Sequence, residues 1–246
     1  MPANPAYLPV EVGAALRKEH FFSTLDSQGE NISAKNKSYC ELTGIYWAYK
    51  NLDYDILGLV HYRRYFLRSG LFVRKNLQNV LPKNKIELLL QNHDIIVPKK
   101  RYYYVESNYS HYVHAHVREP LDLTAKIIQR DYPEYFPAFQ KRMKKTSGHY
   151  FNMFIANHDV AKGYLDWLFD ILFKVESQLD TSTYSQYDQR VYGFLSELLL
   201  DVYIDTNHLK VREQRVAFME KQNWFKKIKD FLLRKLSKGK KGRQQK

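Results

Sequence analysis

Apolar and polar positions repeat along this chain on two length scales. Residues 56–60 (Ile-Leu-Gly-Leu-Val) form a short apolar run of the length of a strand buried on both faces, and Gly58 lets another backbone or a ligand come close. Residues 93–98 predict a second buried strand, stopped by Pro98, which has no amide hydrogen for the ladder. Residues 150–156 predict a third, with Phe151, Met153 and Ile155 alternating against Asn152 and Phe154. Between these runs the period lengthens. A Ser-x-x-Glu capping box at Ser38 and Glu41 opens a predicted helix over 39–50, with Cys40, Thr43, Gly44 and Trp47 at helical spacing. Residues 86–91 read as the end of a helix, and 120–130 and 138–145 as two more, divided by a turn holding Pro133 and Pro137. Asp159 is placed to cap a helix whose Tyr164, Trp167, Leu168, Ile171 and Leu172 form a wide core face. A last helix, 188–203, carries Arg190 and Glu197 two turns apart on one side of an otherwise apolar surface, where charged residues require partners. Residues 1–35, with Pro2, Pro5 and Pro9, read as loop and extended chain. The pattern predicts an α/β fold, a mostly parallel sheet flanked by helices.

The stretch 53–66 organises the rest. Where the first strand surfaces, His61, Arg63 and Arg64 arrive interleaved with Tyr62, Tyr65 and Phe66, and beyond the second strand lie Lys99, Lys100, Arg101 and three tyrosines. Ligands of open α/β sheets bind outside the carboxyl ends of the strands, so two such clusters line one crevice if the strands are parallel neighbours. Two guanidiniums suit a diphosphate, because each offers a planar fork of donors that is always charged. The other reading is a solvated basic strand end. Glu41 has two readings as well, a helix cap or a group in the site. His111, His114 and His116 invite a zinc site, yet no Cys, Asp or further His stands at a ligand spacing, so no metal ligand is assigned.

Composition narrows the classes. A chain of 246 residues suits one large domain or two small ones, and its 20 Tyr supply apolar faces that carry a hydroxyl, as sugar-binding surfaces require. Cys40 is the single cysteine, which excludes an internal disulfide and fits a reducing cytosol. The formal charge of +13 is uneven: residues 224–246 hold ten Lys or Arg and one Asp, leaving only +4 for residues 1–223. That near-balance, with no recognisable nucleic-acid module, argues against a nucleic-acid partner. In the tail, Trp224, Phe225, Ile228, Phe231, Leu232 and Leu236 make an apolar stripe among lysines and arginines. The expectation is a basic amphipathic helix over 224–246 on an anionic membrane surface, the alternative being a terminal helix docked on the domain.

Linked motifs add a resemblance. Tyr39-Cys-Glu-Leu-Thr-Gly-Ile-Tyr-Trp, Gly58-Leu-Val-His-Tyr-Arg-Arg-Tyr-Phe, Ile96-Val-Pro-Lys-Lys, Ser147-Gly-His-x-Phe-Asn-Met-Phe-Ile and Arg190-Val-x-Gly-Phe-x-Ser-Glu closely resemble a bacterial family of capsular and exopolysaccharide glycosyltransferases, often described only as a domain of unknown function. The resemblance implies a GT-A-like nucleotide-sugar fold over residues 1–223. It implies transfer of a hexose, by default from a uridine diphosphate donor, to a lipid-linked capsular, exopolysaccharide or O-antigen acceptor at the inner face of the plasma membrane. It also implies a further strand upstream of Tyr7, so the natural start is expected upstream of Met1 or the chain is shortened.

Within that picture Arg63 and Arg64 are assigned to the donor diphosphate, Lys99, Lys100 and Arg190 are second candidates, and Glu41, Thr43 and His61 belong to the substrate side. His149, Asp188 and Glu197 are the candidates for a base that takes the acceptor proton. GT-A enzymes place an Asp-x-Asp metal motif after a buried strand, where this chain has His61-Tyr62-Arg63; Asp53-Tyr54-Asp55 precedes the strand, at the wrong end. The arginines are therefore expected to act in place of Mn or Mg, or alongside one. The alternative from another class is a non-catalytic glycan- or nucleotide-binding protein.

Overall fold

The computed structural model describes Pro2, residues 4–70 and residues 73–219. The predicted tail helix, 224–246, lies outside the described residues. In chain order the elements are α1 (Asn36–Tyr39), α2 (Leu42–Asn51), β1 (Ile56–Leu59), β2 (Arg64–Phe66), α3 (Lys83–Leu90), β3 (Ile95–Pro98), β4 (Arg101–Tyr102), α4 (Asn108–Ala115), α5 (Glu119–Asp131), α6 (Phe136–Lys144), β5 (Ser147–Gly148), β6 (Phe154–Asn157), α7 (His158–Glu176), α8 (Val191–Thr206), β7 (Val211–Gln214) and β8 (Val216–Phe218).

The main sheet has the order β1-β6-β3-β7. β3 pairs parallel with β7, while β6 is antiparallel to both β1 and β3. β1, β3 and β7 therefore all run one way, as a mostly parallel sheet requires, and β6 is the reversed strand between them. Two small ladders, β2 with β8 and β4 with β5, extend from the same end. β3 is buried throughout. β1 is not the doubly buried strand that its apolar run predicts: it lies at the sheet edge, and of its four residues only Leu57 is buried. Gly58 serves close approach, because a Cβ there would stand 2.7 Å from the Phe154 carbonyl oxygen of β6.

Two long apolar helices, α7 and α8, form the centre of the core. α7 buries Tyr164, Leu165, Trp167, Leu168, Ile171, Leu172 and Val175 against the sheet, and α8 is buried along most of its length between α7 and α6. No helix among the described residues is long and apolar enough to cross a membrane. Three local expectations are corrected. The single helix over 39–50 is two, because Cys40 adopts φ 54° between α1 and α2. Its capping box does not form: Ser38 Oγ donates to the Lys35 carbonyl at 3.1 Å. Asp159 stands in the first turn of α7 and bonds His158 at 2.9 Å, so it caps nothing. The third strand is shorter than 150–156, for a reason that matters to the site.

β5 is locked to α8 by a buried ion network. Arg142, of α6, is 1% exposed, with its Nε 3.1 Å from Asp201 Oδ2 and its terminal nitrogen donating to the Ser147 carbonyl. Asp201 also accepts the His149 amide at 3.0 Å and a bond from His149 Nδ1. Burial alone would raise the Asp201 carboxyl, but the His149 bonds and the Arg142 charge hold it below the usual range. Gly148 is required there, since a Cβ would fall 2.1 Å from the Arg142 guanidinium, which is enclosed and has nowhere to go. Gly148→Ala is therefore expected to cost about 1–3 kcal/mol of stability by overpacking, read as a lower urea midpoint with unchanged slope.

Candidate active site

Because β1, β3 and β7 point the same way, their carboxyl ends share one edge with the amino end of β6. The chain between β5 and β6, residues 149–153, crosses that edge. Its turn is strained: Phe151 has φ 80° and Asn152 φ 53°, a left-handed pair that side-chain-bearing residues rarely adopt. This is why β6 begins only at Phe154.

The turn collects the surrounding elements. The Phe151 amide donates to Glu197 Oε1 at 3.2 Å, and the Phe151 carbonyl accepts from His61 Nε2 at 2.5 Å, which fixes the proton of His61 on Nε2. Asn152, 4% exposed, donates to Glu41 Oε1 at 2.8 Å and to the Gly193 carbonyl at 3.1 Å, and accepts from Ser196 Oγ at 2.7 Å. Glu41 also lies 3.9 Å from His61 Nε2. Glu41 stands at the N-cap position of α2, but its side chain makes no capping bond and meets this turn instead.

Cations approach the other side of Phe151. The Arg64 guanidinium lies 4.6 Å from the ring centre and that of Arg101 5.2 Å, both in range of cation–π attraction. The chain turns at 61–64, with His61 and Arg64 exchanging backbone hydrogen bonds, and Arg63 stacks on Tyr62 at 4.4 Å. Arg101, from the second basic cluster, shares the Phe151 ring with Arg64. Lys100 lies 3.8 Å from Glu213 of β7, and Lys99 is exposed beside it.

Glu197 is the distinctive group. Burial pushes its carboxyl up and the neighbouring Glu41 adds to the rise, against the Phe151 amide, Arg64 and Arg101, and the result is a pKa of about 7. Among the described residues no cation stands within ion-pair distance of it. Its neighbours along α8 differ: Asp201 has Arg142 and His149, and Asp205 has Lys145 at 3.0 Å and Lys141 at 3.4 Å.

The other candidates fall outside this cluster or at its margin. His149 is 3% exposed, held between Asp201 and Glu213, whose Oε1 is 3.3 Å from Nε2. Asp188 exchanges hydrogen bonds with Ser185 at 2.6 and 3.1 Å in the turn before α8, and Thr43 is enclosed with Asn36 and the Cys40 carbonyl. Arg190 donates through Nε to Cys40 Sγ at 3.2 Å, which sets it next to Glu41. His111 and His114 both meet Glu106 at 3.2 Å. Asp55 lies at the opposite, amino end of β1, where its carbonyl accepts from the His158 amide. Among the described residues, no group of three or more His, Cys, Asp or Glu is placed to hold a metal ion, so no step is routed through one.

Sequence reasoning did not assign Arg101, Asn152 or Ser196. Arg101 was visible as the third member of a basic run at a strand end. Asn152 looked like the polar phase of a strand, and only its backbone angle reveals otherwise.

Comparison with known proteins places this geometry. No curated protein matches the chain. Among solved structures it is similar to the "WbbM bifunctional glycosytransferase apo structure", with a TM-score of 0.82 and 28% identity over 90% of this chain. The match covers 43% of that protein, so this chain spans less than half of its length. A family model matches residues 1–208, and the chain belongs to that family, described as "Domain of unknown function (DUF4422)".

Proposed function

We propose that this chain is a glycosyltransferase of GT-A-like design that moves a hexose from a nucleotide diphosphate sugar, with uridine diphosphate the favoured carrier, to a lipid-linked polysaccharide acceptor. The observation that carries the reading is Glu197: a carboxyl near neutrality, without an ion-pair partner among the described residues, beside a ring that holds two guanidiniums. The likeness to a glycosyltransferase structure supports the same class.

The chemistry follows from the placement. In an inverting transfer Glu197 takes the proton of the acceptor hydroxyl, whose oxygen forms the bond to the anomeric carbon as the bond from that carbon to the diphosphate oxygen breaks. The electron pair leaves with the diphosphate, and Arg64 and Arg101 stabilise the charge that develops there. A base with a pKa of about 7 is matched to proton transfer near neutral pH. Glu41, bonded to Asn152, keeps Glu197 basic by like-charge repulsion. His61 fixes the Phe151 carbonyl and so orients the amide that holds Glu197. Lys99, Lys100, Arg63 and Arg190 supply outer positive charge. His149 and Asp188 take no catalytic part in this reading, and residues 224–246 hold the protein at the anionic membrane where the acceptor resides.

Four outcomes test this. Glu197→Gln should lower kcat by about 10²–10⁴-fold with donor affinity unchanged; a rate near wild type removes Glu197 as the base. The base must be ionised, so kcat/KM should rise with pH through about 7, and Glu41→Gln should move that limb to lower pH because a like charge is gone. Arg64→Ala and Arg101→Ala should each weaken uridine diphosphate binding roughly 10- to 100-fold by calorimetry, the worth of one charge-assisted contact, and activity should persist in excess chelator. Deleting residues 224–246 should abolish salt-sensitive sedimentation with anionic liposomes; unchanged sedimentation removes the tail from this role.

A further inference from the structure

We propose that the cleft where α1 meets the turn 188–190 is an acceptor subsite for an acidic sugar unit, one carrying a carboxylate or a phosphate. It deepens the transferase reading and rests on it. The cleft has a volume of about 620 Å³, within the range of small-molecule sites, and is lined by Lys37, Gln186, Tyr187, Gln189 and Arg190.

The lining combines three kinds of recognition. Tyr187 is 53% exposed, yet its ring is not loose: it stacks on His116 at 5.6 Å and leans on Phe194 at 5.2 Å. Burial pulls His116 down to about 4, so this ring is neutral at working pH and packs as an aromatic. Such a braced, half-exposed ring is a platform for the apolar face of a sugar. Gln186 and Gln189 bring carboxamides, which both donate and accept, as ring hydroxyls require. Lys37 and Arg190 bring two positive charges, and no carboxylate stands among the lining residues. Neutral sugars need no such pair. The Arg190 guanidinium is braced against Phe194 at 5.2 Å and anchored by Nε to Cys40, so its terminal nitrogens are the donors left for a ligand.

Position connects the cleft to the chemistry. Cys40 and Glu41 are consecutive, and Glu41 and Glu197 belong to the same charged cluster, so a saccharide in the cleft lies beside the carboxylates that would meet its neighbouring acceptor unit. The donor's diphosphate has its own cations at Arg64 and Arg101, around Phe151.

The test uses the full chain and three probes: methyl β-D-glucuronide, glucose 6-phosphate and methyl β-D-glucoside. Calorimetry or ligand-observed NMR should show at least one acidic probe binding about 10-fold or more tighter than the neutral glucoside. Lys37→Met should abolish that preference, and Tyr187→Ala should weaken all three probes. Both side chains are exposed, and thermal melts should show both variants folded. Uridine diphosphate binding, measured in parallel, should survive both changes and be weakened in Arg64→Ala, so failure of the donor reading and failure of the acidic subsite are separate results. Equal affinity for charged and neutral probes, binding of none of them, or loss of nucleotide binding in Lys37→Met would overturn the proposal. The tighter of the two acidic probes identifies the acid group.

Discussion

The left-handed turn at Phe151 and Asn152 is the constraint on which the candidate site depends. Two consecutive residues with positive φ cost of order 1–3 kcal/mol each in isolation, and they persist only where the surroundings over-determine them. Here the Phe151 amide and carbonyl and the Asn152 side chain have partners on other elements: Glu197 of α8, His61 after β1, Glu41 between α1 and α2, and Gly193 and Ser196 of α8. Straightening the turn into a continuation of β6 would break all of these contacts together. Strain and site are thus one feature, which is why the strand starts three residues later than its apolar alternation implies.

The same turn separates opposite charges. The Phe151 amide meets Glu197 and the Asn152 side chain meets Glu41, while the Phe151 ring meets two guanidiniums. A direct Arg64–Glu197 ion pair would discharge both groups, leaving neither a base nor an anion site. With an aromatic ring in between, the arginines lower the Glu197 pKa without fixing it in the ionised state. A reaction that needs a proton acceptor and a leaving-group stabiliser side by side needs this kind of spacer.

The buried strand at 93–98, the existence of a strand at 56–59 and the wide apolar face of α7 are legible in the sequence, because burial on a face leaves its period there; the edge position of β1 is not, since the same apolar run suits an edge or a central strand. β7 and β8 left no such mark. In Val-Arg-Glu-Gln at a sheet edge, Glu213 meets Lys100 and His149 and the buried Gln214 donates to the Leu67 carbonyl, so polar partners take the place of an apolar pattern. The break at Cys40 was hidden for a different reason: residues on both sides suit a helix, and the positive φ is imposed by packing against α8 and by the Asn36 amide on the Cys40 carbonyl. That Arg101 shares the Phe151 ring with Arg64 is likewise a matter of direction, which the separated letters do not encode.

α8 shows how one helix supports both structure and chemistry. Glu197, Asp201 and Asp205 follow one another at intervals of one turn, so they share a face. Asp205 meets the lysines of α6 near the surface, and Asp201 meets Arg142 and His149 in the interior, where those partners hold it ionised. Glu197 is the third acid in the row, but it meets an amide and a second carboxylate, and its pKa moves the other way. Two acids four residues apart, on one rigid scaffold, are thereby driven in opposite directions by their partners, which is the arrangement that separates a structural anion from a group free to exchange a proton. The histidine that sequence motifs single out, His149, sits with Asp201 in this row and holds the chain from which the Phe151 turn springs.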